Sequence, residues 1–162
     1  MRKRAHRGLE RGFALLIATV LSSIALAVGL AVTDVVYRQV VLSSAAKQSQ
    51  YAFYAADSAL ECALYFDQQE GTFAYQASPP EDVSISCAAS GGAVPVSFVV
   101  SEPSADTLRF SSDWFSASAP PACARLTVLK ESTGAADIFA EGANTCDLSS
   151  TRAIERGVRV NY

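Results

Sequence analysis

The chain has 162 residues, half of them hydrophobic, which is room for one modest domain together with a separate apolar segment. Its net charge of -3 is unevenly distributed: residues 1–11 sum to +4, the rest of the chain sums to -7, and no lysine or arginine lies between Lys47 and Arg109. An acidic globular part repels phosphate backbones, so the composition argues against nucleic acid as a default partner.

The chain begins with a basic head, residues 1–12, which is followed by an apolar segment, residues 13–32. The apolar segment holds twenty residues without a charge, and as a helix it is roughly 30 Å long, which is enough to cross a bilayer. A basic flank beside such a segment stays on the cytoplasmic side. We therefore predict a single pass through the cytoplasmic membrane, with the N-terminus cytoplasmic and residues 33–162 beyond the membrane.

Three fates are open to the apolar segment: removal as a secretion signal, retention as a simple anchor, or retention as the stem of an assembly. Secretion signals have shorter apolar regions, about 7 to 15 residues, but Ala25-Leu26-Ala27 is an acceptable cleavage site. The next residues favour retention, because no glycine or proline lies between Leu30 and Glu70 and the composition there suits a helix. A removable signal has no reason to continue without interruption into the helix that follows it.

Residues 13–67 are accordingly predicted to form one helix, apolar on all sides in its first half and amphipathic in its second. Small and apolar residues recur on one face of the second half: Val41, Ala45, Ala52, Ala55, Ala56, Ala59, Cys62, Ala63 and Phe66. Small side chains let another backbone layer approach closely. We expect this face to be packed against a β-sheet.

The remaining residues, 68–162, have the pattern of a small β-rich domain. Six short runs of strand-forming residues are separated by clusters of Gly, Pro, Ser or Asp: EDVSISC, VPVSFVV, DTLRFSS, CARLTVLK, ADIFA and ERGVRVNY. GTFAYQASPP, AASGGA and SASAPP are predicted to be loops. Because the links leave no room for crossover helices, the strands should pair mainly antiparallel. The predicted fold class is α+β, a long N-terminal helix packed on a small antiparallel sheet.

The four cysteines all follow the apolar segment, as expected for disulfides in an oxidising compartment. No CxxC pair is present and the only histidine is His6, so a zinc site is not expected. Four cysteines allow three pairings. Cys62 lies on the packing face of the helix and Cys87 on the inward side of the first strand, which favours Cys62–Cys87 together with Cys123–Cys146, although the other pairings stay open.

No catalytic site is predicted. With its only histidine in the basic head, the chain lacks the base that a serine or cysteine nucleophile requires beyond that head. No glycine-rich phosphate-binding loop is present either. Asp57 and Glu61 lie one helical turn apart, and we interpret them as an exposed acidic helix surface rather than an acid pair. The chain is expected to be a non-enzyme that needs no cofactor or metal.

These parts, in this order, resemble a type IV prepilin. RGFALLIATVL resembles the opening of minor pilins, and YAADSALECALYFD, Tyr54 to Asp67, resembles the stem helix of minor pilins of the type 4 fimbrial biogenesis class. The resemblance implies that a prepilin peptidase cuts the leader, residues 1–12, between Gly12 and Phe13, and that Phe13 is then N-methylated. It also implies that the apolar segment is kept, first in the lipid bilayer beside an inner-membrane assembly platform and then against other minor and major pilins.

One departure from the family pattern concerns the fifth residue of the mature chain. Most pilins and pseudopilins have glutamate there, whereas this chain has Ile17, and its first acid after the leader is Asp34. An isolated buried carboxylate costs several kcal/mol, so a subunit with no neighbour above it is better without one. The resemblance therefore implies a minor pilin or pseudopilin that initiates a filament or sits at its tip, outside the cytoplasm. The alternative is a secreted or single-pass envelope protein that joins no filament.

Overall fold

The computed structural model describes residues 6–89, 92–118 and 122–162. Of the predicted leader, residues 1–5 therefore lie outside the described residues. The chain divides into two compact units, Met1–Ala45 and Ala46–Tyr162.

A single helix, α1, runs from His6 to Gln68. The predicted helix over residues 13–67 is therefore confirmed, and it begins earlier than expected. Its end is defined by Gly71, whose φ of 64° lies in the left-handed region that glycine adopts without strain. The amide of Thr72 donates to the carbonyl of Phe66 at 3.0 Å, which satisfies an acceptor of the last turn.

Seven strands follow in the described residues. They are β1 Asp82–Ala89, β2 Gly92–Ser104, β3 Thr107–Ser112, β4 Phe115–Ser118, β5 Ala122–Glu131, β6 Ala136–Ala143 and β7 Glu155–Asn161. They form one sheet in the order β1-β2-β3-β5-β6-β7, with β4 also paired to β5, and every pair is antiparallel. The α+β class and the antiparallel pairing predicted from the sequence are confirmed.

Strand β4 corrects the sequence prediction, which assigns SASAPP to a loop. β3 and β4 lie end to end along β5, separated by Asp113 and Trp114. At this break the amide of Leu126 donates to Ser112 Oγ at 2.9 Å instead of to a ladder carbonyl. That bond gives the buried Ser112 hydroxyl the partner that a buried polar group needs.

The second half of α1 packs on the inward face of the sheet. Its buried residues are mostly alanine: Ala52, Ala55, Ala56, Ala59, Leu60 and Ala63. The prediction is wrong for Val41 and Ala45, which are exposed and belong to the first compact unit. The apolar repeat therefore starts before the part of the helix that the sheet covers.

The core contains a cluster of three buried phenylalanines. Phe73 lies in the predicted GTFAYQASPP loop, yet it is fully buried, with its ring centroid 5.1 Å from those of Phe98 and Phe110. Both ring pairs are edge to face, the arrangement that aromatic quadrupoles favour. The connection after α1 is therefore held to the sheet by its own side chain, although its backbone is irregular.

Candidate functional site

Among the described residues, nothing buries the apolar half of α1. Within the described residues, the Phe13–Gln68 part of α1 is long and apolar enough by length and composition to cross a membrane. Its most apolar window has a mean hydropathy of 2.5, and none of that window is buried. Phe13 is 67% exposed and Ile17 is 40% exposed. A surface this apolar makes the helix a candidate membrane anchor.

Three hydroxyl side chains in or next to this segment are satisfied inside the helix. Thr19, Ser23 and Thr33 each donate a hydrogen bond of 2.8 Å to the carbonyl oxygen three residues earlier. Hydroxyls that bond their own helix present little unmet polarity to hydrocarbon. The hydroxyls of Thr19, Ser23 and Thr33 are therefore compatible with an apolar environment.

The predicted processing residues lie in sequence along the same helix. Gly12 and Phe13 are both inside α1, and Ile17 follows one helical turn after Phe13. No acid lies between Phe13 and Asp34, and Asp34 forms an ion pair of 3.0 Å with Arg38. Cleavage after Gly12, methylation of Phe13 and the role of Ile17 stay predictions.

The cysteines form the pairing that the sequence favours. Cys62 is bonded to Cys87, with Cα atoms 5.7 Å apart, and Cys123 to Cys146, with Cα atoms 5.2 Å apart. The first bond joins the last turns of α1 to β1. The second joins β5 to the segment between β6 and β7, so the long connection before the last strand is also fixed.

A buried polar cluster at the end of α1 is absent from the sequence prediction. The Asp67 side chain is 2% exposed, and its Oδ2 accepts from Lys130 Nζ at 2.7 Å and from the Tyr162 hydroxyl. Burial, followed by the hydrogen bond to Asp67, raises the pKa of Tyr162 to about 12. One signal for this cluster is present in the sequence, because an acid in the last turn of a helix opposes the helix dipole and needs a compensating partner.

Two ion pairs lie on the face of the sheet turned away from α1. Arg159 forms a two-pronged ion pair with Asp137, and its hydrogen bond lowers the pKa of that carboxyl. Arg125 pairs with Glu141 and lies 5.1 Å from the centre of the Trp114 ring. An open cleft of about 460 Å³ borders this face.

In the part of the chain that the structure describes, no group of three or more His, Cys, Asp or Glu side chains is placed to hold a metal.

Comparison of the chain with known proteins finds no match. No family model, no curated protein and no solved structure matches it. The functional assignment therefore depends on the residues themselves: the junction of Gly12 and Phe13, the uncovered apolar helix with Ile17, and the disulfide-bonded sheet.

Proposed function

We propose that the chain is a minor type IV pilin or pseudopilin, a non-enzymatic subunit that initiates a filament or sits at its tip. The observation that carries this proposal is the continuity of α1, which joins an uncovered apolar segment to an alanine face packed on an antiparallel sheet. A removable signal gains nothing from such continuity. A stem that must pass from lipid into a bundle of other helices requires it.

The apolar half of α1 has two successive environments under this proposal. In the cytoplasmic membrane, lipid covers it while a prepilin peptidase removes the leader and the assembly platform engages the subunit. In the filament, the stem helices of other minor and major pilins replace the lipid. Both environments are apolar, and the internally bonded hydroxyls of Thr19, Ser23 and Thr33 are compatible with each.

Ile17 supports the assignment to the tip. In the family the glutamate at this position is thought to pair with the N-terminal amine of the subunit above. When no subunit lies above, no partner amine is present, so the carboxylate would stay unpaired in an apolar bundle at a cost of several kcal/mol. An isoleucine in its place avoids that cost, whereas a repeating subunit would lose the pairing that sets its position.

The test is a change at the proposed cleavage site. Gly12→Val in the full chain, expressed in its natural host, should leave the leader uncut and should remove the protein from sheared filaments. Gly8→Val is the matched control, because it makes the same change at the other glycine of the leader, and it should be processed normally. Normal processing and assembly of the Gly12→Val protein would overturn the proposal.

A further inference from the structure

Two adjoining depressions lie at the face of the sheet turned away from α1, and we call them together the outer cleft. Their volumes are about 460 and 250 Å³, and both are lined by Leu129 and Asp137. Small-molecule sites in proteins usually measure about 300 to 1,000 Å³, so the outer cleft has the size of such a site. The lining residues that carry its chemistry are Leu129, Asp137, Phe139, Arg159, Asn161 and Tyr162.

The register of the strands brings these side chains together. Phe139 lies opposite Arg159, and Asp137 lies opposite Leu129 on one side and Asn161 on the other. Opposite residues of an antiparallel pair have Cβ atoms about 5 Å apart, and alternate residues along a strand are roughly 7 Å apart. Leu129 and Phe139 therefore form an apolar platform. Asp137, Arg159 and Asn161 lie beside that platform, within roughly 10 Å.

Two polar groups of the cleft are held in place by partners in the same chain. Arg159 donates from Nε and Nη2 to the two carboxylate oxygens of Asp137. The hydroxyl of Tyr162 donates to Asp67 of α1. Groups that are fixed before a ligand arrives lose little conformational freedom when it binds. The outer cleft is therefore preorganised, unlike a surface of freely rotating side chains.

The ion pair presents hydrogen-bond donors and acceptors at the same point. A guanidinium has five N–H groups, and Asp137 occupies only those on Nε and Nη2 of Arg159, so further donors remain. Each carboxylate oxygen of Asp137 can accept a second hydrogen bond, and the exposed amide of Asn161 adds both a donor and an acceptor. The ligand group that both donates and accepts is a hydroxyl.

Other classes of ligand match the outer cleft less well. Anions meet two carboxylates, Glu131 and Asp137, and a single lining cation that is already paired. A metal ion needs several ligands, and the described residues hold no group of three or more His, Cys, Asp or Glu side chains for one. A purely apolar ligand would strip water from Asp137, Arg159 and Asn161 without replacing its hydrogen bonds. The cleft favours a neutral ligand with an apolar side and several hydroxyls.

We propose that the outer cleft binds a neutral saccharide. A pyranose ring has C–H groups on its faces, and one face packs on Phe139 and Leu129. Its rim of hydroxyls then bonds to Asp137, Arg159 and Asn161. Adjacent hydroxyls on one ring match the neighbouring donors and acceptors of the ion pair. All lining residues belong to the globular part of the chain, so saccharide binding and filament assembly can fail independently of each other.

The first experiment identifies the ligand. The full chain, purified in a detergent without a sugar headgroup, is applied to an array of neutral oligosaccharides that also carries sialylated and sulfated ones. An array of random peptides is probed in parallel, because peptides also combine donors, acceptors and apolar groups. We expect binding to neutral oligosaccharides alone. In saturation-transfer difference NMR, the C–H protons on one face of the bound ring should then give the strongest signal.

The second experiment tests the lining residues with the oligosaccharide that the array selects. Phe139→Ala should weaken its binding at least about tenfold, because the apolar platform is lost. Asn161→Ala should weaken it at least about threefold, since a donor and an acceptor are removed. Val99→Ala is the matched control: Val99 is a 65% exposed apolar residue of the same sheet face, on β2, and its loss should leave binding unchanged.

Urea unfolding of each variant separates loss of the site from loss of the fold. Asn161 is exposed, so its replacement tests the site even where Phe139→Ala lowers stability. Several results would overturn the inference: no neutral oligosaccharide bound, binding only to anionic oligosaccharides or only to peptides, or affinity that Phe139→Ala and Asn161→Ala leave unchanged in folded protein. An equal loss in the Val99→Ala control would also overturn it, because the ligand would then lie elsewhere on the sheet.

Discussion

Gly142 of β6 lies directly against the backbone of α1 at Ala52. A Cβ atom at Gly142 would be 2.0 Å from the Ala52 carbonyl oxygen and 2.5 Å from the Ala56 amide nitrogen, both shorter than any real contact. The alanine face of the helix and this one glycine of the sheet together set how closely the two layers approach. The close approach of helix and sheet thus depends on the small side chains of the alanine face and on the missing side chain at Gly142.

Gly142→Ala should destabilise the globular part by about 3 kcal/mol or more, because overpacking against a backbone cannot be relieved by a rotamer change. Gly157→Ala is the matched control: its Cβ would crowd ring atoms of Phe139, at 2.9 and 3.0 Å, and that partly exposed ring can move, while the Ala140 carbonyl oxygen is at an ordinary 3.8 Å. Urea unfolding of the full chain in detergent, followed by the fluorescence of its single tryptophan, Trp114, measures both. Equal losses in the two variants would contradict the close-contact account.

Lys130→Met should destabilise the protein by about 3 kcal/mol, because it leaves the buried carboxylate of Asp67 without its cation. Adding Asp67→Asn to that variant should recover at least about 1 kcal/mol, since the amide carries no charge to leave unpaired. Arg159→Met breaks an exposed ion pair and serves as the control, with a smaller loss. No recovery in the double variant would show that packing, rather than the ion pair, explains the loss.

Tyr162 should titrate at about pH 12, above the ordinary tyrosine value of 10.0. Because the folded protein holds this proton more tightly than the unfolded chain, the stabilisation is fully present below about pH 10 and is lost as the pH rises through about 12. The difference in tyrosinate absorbance between wild type and Tyr162→Phe isolates this group among six tyrosines. Asp67→Asn should move the pKa of Tyr162 back toward 10.0. A difference titration centred at the ordinary value in wild type would contradict the cluster.

Replacing Cys62 and Cys87 together by serine should lower the free energy of unfolding by about 3 kcal/mol, because the loop between them is then unconstrained in the unfolded chain. Replacing Cys123 and Cys146 should have a similar effect, since the two sequence separations, 25 and 23 residues, are nearly equal. Non-reducing peptide mapping checks the pairing first. A peptide that joins Cys62 to Cys123 or Cys146 would refute it.

The sequence predicts the features that follow from periodicity. A run of residues without glycine or proline predicts α1, and alternation of apolar and polar residues predicts every strand except β4. The favoured cysteine pairing needs only that Cys62 and Cys87 both lie on inward faces. These features depend on the type of each residue and on its near neighbours in the sequence.

The remaining features depend on contacts between distant residues. β4 is missed because Ser116 to Ser118 favour a loop locally, while pairing with β5 overrides that preference. In the sequence, Gly142 is only a residue with low strand propensity. Its close contact with the backbone of α1 is visible only in the folded structure. The partners of Asp67 lie 63 and 95 residues further along the chain, so only the folded structure brings Lys130 and Tyr162 to it.

The most direct measurement of the central claim is mass spectrometry of the N-terminus of the mature protein, purified from its natural host. The proposed function predicts a chain that begins at Phe13 with an N-methyl group. A chain that begins at Val28 would identify the apolar segment as a secretion signal, and an intact N-terminus at Met1 would identify a simple membrane anchor. Either of those two results would contradict the assignment to a filament.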